Sequence, residues 1–126
     1  MRLVAAQDGN KILDNLKQYI KKLGYDNVEV ICHGITEPAK TPVDTPYLLP
    51  VEKATRNVFG PYMVYPNRPS TAPDYLWTNI LGLPTIQVCW CDATSDNHAP
   101  NEHLTLSNYI KGTELTATVL KEISEM

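Results

Sequence analysis

No apolar run in this 126-residue sequence approaches the roughly 20 residues that a membrane-spanning helix needs. Met1 to Asp8 holds one arginine but no apolar stretch long enough for a secretory signal. No run of lysine and arginine is longer than Lys21-Lys22, and 11 basic against 14 acidic residues leave a net charge of −3. The electrostatic footprint of a nucleic-acid binder is therefore missing, and neither nucleic acid nor membrane is expected as a partner. Cysteine is scarce and odd in number: Cys32, Cys89 and Cys91 cannot all pair within the chain. A reducing, cytoplasmic setting is the expectation. Cys89-x-Cys91 is tighter than the usual paired-cysteine zinc spacing and has no second pair. These thiols are expected to be small buried hydrophobes on strands. No repeat or low-complexity tract is visible.

What is present suits a modest globular domain. The sequence is 43% hydrophobic and 20% charged, and a domain of this length buries roughly two-thirds of its unfolded surface. Residues 2–6 read as a short strand. Asp8 is an N-cap for a helix marked by Ile12, Leu13, Leu16, Ile20 and Leu23 and stopped by Gly24. Val28 to Cys32 alternates as a strand, so the first segment reads β-α-β and ends near His33-Gly34. Between 35 and 50, Pro38, Pro42, Pro46 and Pro50 forbid a regular helix or central strand and suggest an ordered linker. Beyond it, Val51 to Phe59 reads as a helix ended by Gly60-Pro61, and Tyr62 to Tyr65 as a strand. Pro73 opens a helix through Tyr75, Leu76 and Ile80 that Gly82 stops. Pro84 to Trp90 reads as a buried parallel strand. Leu106, Ile110, Thr113, Ala117, Leu120 and Ile123 mark the apolar face of a long last helix. The expected class is α/β, with ligands at the carboxyl ends of the strands.

The loop after Trp90 is the candidate site. It runs from Cys91 through His98 to His103, and long polar loops in compact domains are usually functional or mobile. Asp96, Asn101 and Glu102 could each hold the second ring nitrogen of His98, as a metal-bound imidazole requires. On composition alone, a solvated surface histidine is the first reading of His98 and metal ligation the sharper alternative. His98, His103 and Asp96 could also be a small metal set, although zinc generally wants three or four well-placed ligands.

Gly82-Leu83-Pro84-Thr85 before a strand, then His98-Ala99-Pro100-Asn101-Glu102 and a long helix from near Leu106, resemble the end of a known family. It is the family of two-zinc exopeptidases and deacylases that includes carnosinase-like dipeptidases, glutamate carboxypeptidase, acetylornithine deacetylase and succinyl-diaminopimelate desuccinylase. The opening Arg2-Leu3-Val4 with Gln7-Asp8 resembles the strand-to-helix turn of that family's smaller domain. The resemblance runs in order over nearly the whole chain. It implies that residues 1–34 are the second half of a lid or dimerisation domain, 35–50 a proline-rich linker, and 51–126 the C-terminal portion of a catalytic domain. It implies that His98 is a zinc ligand, with Asn101 and Glu102 supporting it. It also implies that Arg2 meets a substrate carboxylate, a task suited to a planar bidentate donor, and that Thr71 touches substrate. Arg2 also reads as a solvated terminal charge, and Thr71 as a helix N-cap ahead of Pro73. The substrate class implied is a peptide or N-acyl amino acid. The chain departs from the family pattern at Ala5, where proline is usual, and at Pro69 and Ser70, where glycines would let backbone approach substrate.

A hydrolase of this type needs a bridging carboxylate, further ligands and a general base for the metal-bound water. The family draws these from a His-x-Asp, a later Asp and a Glu-Glu pair. The sequence contains no His-x-Asp and no adjacent Glu-Glu. The resemblance therefore implies a chain that is inactive alone, completed by the missing N-terminal half or held in a self-associated state. The alternative is a non-catalytic, oligomeric interaction module derived from that family.

Overall fold

The computed structural model describes residues 1–68 and 70–126. Three α-helices and one π turn make up its regular structure: α1 (Gly9–Lys22), α2 (Leu48–Phe59), the π turn (Leu76–Ile80) and α3 (Leu106–Ser124). The expected stiffening of the loop at Pro69 lies outside the described residues. No described helix is long and apolar enough to cross a membrane. Contacts divide the chain into two units, Met1–Pro42 with Asn67–Thr85, and Val43–Pro66 with Ile86–Met126.

In the first unit, Asp8 caps α1 by accepting from the Lys11 amide at 3.0 Å. Lys21 and Lys22 lie in the last turn, where positive charge complements the helix dipole. Gly24, with φ of 78°, follows the end of the helix. Gly9 is buried because the Ile35 side chain occupies the space that a Cβ would fill, with Leu3 Cδ1 3.5 Å from that position. Residues 36–42 are held by side chains: Asn79 Nδ2 donates to the Pro38 carbonyl at 3.2 Å, and the Thr85 amide donates to Thr41 Oγ1 at 2.9 Å. The apolar stripe of α1 is only half covered. Ile12, Leu13, Leu16 and Ile20 are all intermediate in exposure, and Leu23 is exposed.

The second unit is built on α2 against α3. Pro50 falls in the first turn of α2, where its missing N–H costs nothing. The helix therefore starts at Leu48, three residues ahead of the start expected from sequence. Lys53 of α2 pairs with Glu122 near the end of α3 at 2.5 Å. Lys111 near the start of α3 lies over the Phe59 ring, 5.6 Å from its centroid, at the end of α2. These two contacts fix the helices antiparallel. The Glu122 carboxylate raises the Lys53 pKa, first by its hydrogen bond and then by its charge. The lysine's side of that link is present below the ordinary lysine range and is lost as pH rises through the raised value. Among the described residues, Pro50, Val51, Ala54 and Leu115 are the buried apolar side chains, with Leu115 only 1% exposed. Gly112 completes the seam: a Cβ there would stand 2.8 Å from Trp90 ring atoms, so glycine lets the indole close on α3.

Two expectations are corrected. First, the α/β class does not hold among the described residues, which contain helices and no strand. Residues 2–6, 28–32, 62–65 and 84–90 carry strand-like sequence, but none pairs with another. Alternation is a property of one segment, whereas a ladder needs a second backbone beside it. Second, the buried face of α3 is not the one marked by Leu106, Ile110 and Leu120, which are 72%, 57% and 66% exposed. Gly112 and Leu115 are buried instead, because they meet Trp90 and α2. The expected helix from Pro73 shortens to the π turn Leu76–Ile80, followed by Gly82 at φ 66°.

Candidate functional site

The loop between Trp90 and α3 is ordered by its own backbone. Asp92 is its anchor. One carboxylate oxygen accepts from the Thr105 amide at 3.1 Å and the other from Asn108 Nδ2 at 2.6 Å, so the loop's start is tied to the beginning of α3. A negative charge there also favours the helix dipole. Thr105 is the N-cap, its side chain accepting from the Asn108 amide. Within the loop, the Ser95 amide donates to the Asp92 carbonyl at 3.1 Å, and the His103 amide closes back on the Ser95 carbonyl at 3.0 Å. Ser95 is buried at 5% exposure, and its hydroxyl has no partner among the described residues.

Between these ties the backbone turns through three left-handed residues, Asp96 (φ 51°), His98 (φ 63°) and Asn101 (φ 66°). Such a conformation costs a non-glycine residue roughly 1–2 kcal/mol, less for Asn and Asp, whose short polar side chains bond locally. The Ala99 amide donates to the Asp96 carbonyl at 2.8 Å, and Glu102 to Ala99 at 3.3 Å. His98 is left exposed at the outside of these turns.

The structure brings His98, Asn101 and Glu102 together on one short loop, all three exposed. It does not show the expected support of the imidazole: among the described residues, none of Asp96, Asn101 and Glu102 hydrogen-bonds the His98 ring. The Asn101 carbonyl instead accepts from His103 Nδ1 at 2.9 Å. Arg2 and Thr71 are exposed and belong to the other unit. Among the described residues, no three of His, Cys, Asp and Glu gather where they could hold a metal, the set His98, His103 and Asp96 included. The donor set of this chain does not fit a zinc ion by itself, because one imidazole is fewer than the three or four ligands zinc takes.

Two anchoring residues escaped the sequence reading. Asp92 acts across 13 and 16 residues, a range at which spacing carries no signal. Ser95 is a polar residue in a polar loop, and nothing local distinguishes it. The three cysteines are also corrected: all are exposed, where burial was expected. No family model matches the chain, and neither does any curated protein or solved structure.

Proposed function

We propose that this chain is part of a zinc-dependent metallopeptidase, of the dipeptidase or amide-hydrolase type, that supplies one metal-ligand histidine and is incomplete alone. The supporting observation is the His98 loop: tied at Asp92 to the start of α3, it presents an exposed imidazole, and among the described residues no three of His, Cys, Asp and Glu gather to hold a metal. An imidazole presented in this way supports the reading of a contributor to a shared site. In this reading the remaining ligands and the general base belong to a second polypeptide carrying the His-x-Asp and Glu-Glu elements. Asn101 and Glu102 shape the loop, and Arg2 and Thr71 meet a peptide or N-acyl amino acid substrate. The place of action is the cytoplasm.

The total exposed surface supports the need for a partner. The chain exposes 9915 Å², whereas two separate compact domains of about 7 kDa each would expose about 8,100 Å² together. Separate domains are the most generous reference, since contact between domains only lowers exposed area. The excess is larger than the roughly 800 Å² that one partner buries in a standard-sized interface.

The test is dipeptide turnover by this chain, alone and co-expressed with the N-terminal half of such an enzyme. The expected result is no turnover alone, turnover in the complex, and its loss on His98→Ala. Turnover by the purified chain alone would overturn the reading. A second reading, a non-catalytic oligomeric module, draws on the outward apolar face of α3. It is favoured if the chain forms a stable oligomer and no active complex can be reconstituted.

A further inference from the structure

Along α3, Leu106, Tyr109, Thr113, Thr116 and Leu120 recur at steps of three and four residues, so they share one face of the helix. All five are exposed and none is charged, whereas the outward face of a helix is ordinarily polar and charged. The two threonine hydroxyls do not need water. Thr113 Oγ1 donates to the Tyr109 carbonyl at 3.1 Å, and Thr116 Oγ1 to the Gly112 carbonyl at 2.9 Å. Between Tyr109 and Leu120 the surface forms a groove whose lining includes Trp90, Gly112, Thr113 and Ala117. The face thus carries bulky side chains in its first half and small ones in its second, before Leu120.

We propose that this face docks a second copy of the same chain, α3 against α3, antiparallel about a two-fold axis at Thr113. Such a pairing needs a surface complementary to itself. In this register Tyr109 of one copy comes to Ala117 of the other, and Leu106 to Leu120, because the members of each pair are equally far from Thr113. Each tyrosine enters the small-residue groove of the other copy, the leucines cover one another, and Thr113 meets its own counterpart. Ridges filling grooves in this way are the usual basis of helix packing. The contact is small. Two helix faces and two indoles fall in the class below about 1,200 Å² in total, or about 600 Å² from each copy, well within the excess area that the chain exposes. A micromolar dimer is the expectation. It rests on the reading of the chain as an oligomeric module, and His98 takes no part in it.

The experiment is sedimentation of the full, reduced chain from about 1 to 200 μM, beside Thr113→Glu and Thr113→Arg, separately and mixed. Thr113 is exposed and both replacements favour helix, so the fold is kept. The parent should dimerise, and each variant should be monomeric because like charges meet at the axis. An equimolar mixture of the two should recover a heterodimer. Leu120→Ser should raise the dissociation constant about a hundredfold, since two leucines lose their cover in each dimer. A parent chain that stays monomeric throughout would overturn the proposal and the oligomeric reading together. Variants that associate like the parent, or a mixture that stays monomeric, would overturn the proposal alone. Zinc content and turnover read the peptidase role separately.

Discussion

At the scale of single residues, the His98 loop separates what holds it from what it presents. Asp92 holds it, through two hydrogen bonds to the start of α3. Asp92→Ala should lower stability by about 1–2 kcal/mol, the usual cost of losing a helix-terminal acceptor and its partners. Amide hydrogen exchange should show faster opening of residues 92–105, and an unchanged exchange rate would remove Asp92 from this role. His98 presents. Its left-handed backbone suits glycine, so His98→Gly relieves strain of roughly 1 kcal/mol while losing a similar amount to the freer unfolded chain. Its melting temperature should match that of the parent, which makes it a cleaner probe of ligation than His98→Ala. A large drop would mean that the imidazole supports the loop through contacts of its own.

Elements were legible in the sequence where a local rule fixes them. Asp8 and Gly24 bracket α1 in the structure as capping chemistry predicts, and Gly60 ends α2 at φ 81°. Strands were not legible in the same way. The run 86–92 keeps the alternation of a strand and even its covered face, yet no neighbouring backbone completes a ladder among the described residues. The buried face of α3 was misread because apolar character favours Leu106, Ile110 and Leu120. Contact with α2 and Trp90 instead falls on Leu115 and on Gly112, a residue with no side chain to signal it. Two substitutions distinguish these faces. Leu115→Ala should cost about 2–5 kcal/mol, as for a fully buried leucine. Leu120→Ser should change the chain's own stability by less than about 0.5 kcal/mol but weaken association with a partner. Denaturant midpoints and sedimentation of the two variants check this, and equal destabilisation would return Leu120 to the core.

For the whole molecule, the central fact is how little of its apolar surface is covered. Among the described residues, the buried apolar side chains Pro50, Val51, Ala54 and Leu115 all lie in the second unit. In the first unit the stripe on α1, the most amphipathic helix, is half exposed. An ordinary domain of this mass would hide such faces, and patches of this kind mark interaction surfaces. Together with the exposed His98, they are consistent with the proposed reading of a polypeptide completed by another. The candidate ligand His98 rests on the resemblance of the His98-Ala99-Pro100-Asn101-Glu102 stretch alone. The anchors Asp92 and Ser95 were not legible in the sequence, because they act through contacts that only folding brings together.

The most direct measurement is zinc bound per chain by equilibrium dialysis, with and without a co-purified N-terminal half. The account predicts weak binding alone, a tightly held zinc pair in the complex, and loss of one zinc on His98→Gly. Tight zinc binding by the isolated chain, or a complex whose zinc content ignores that substitution, would contradict it.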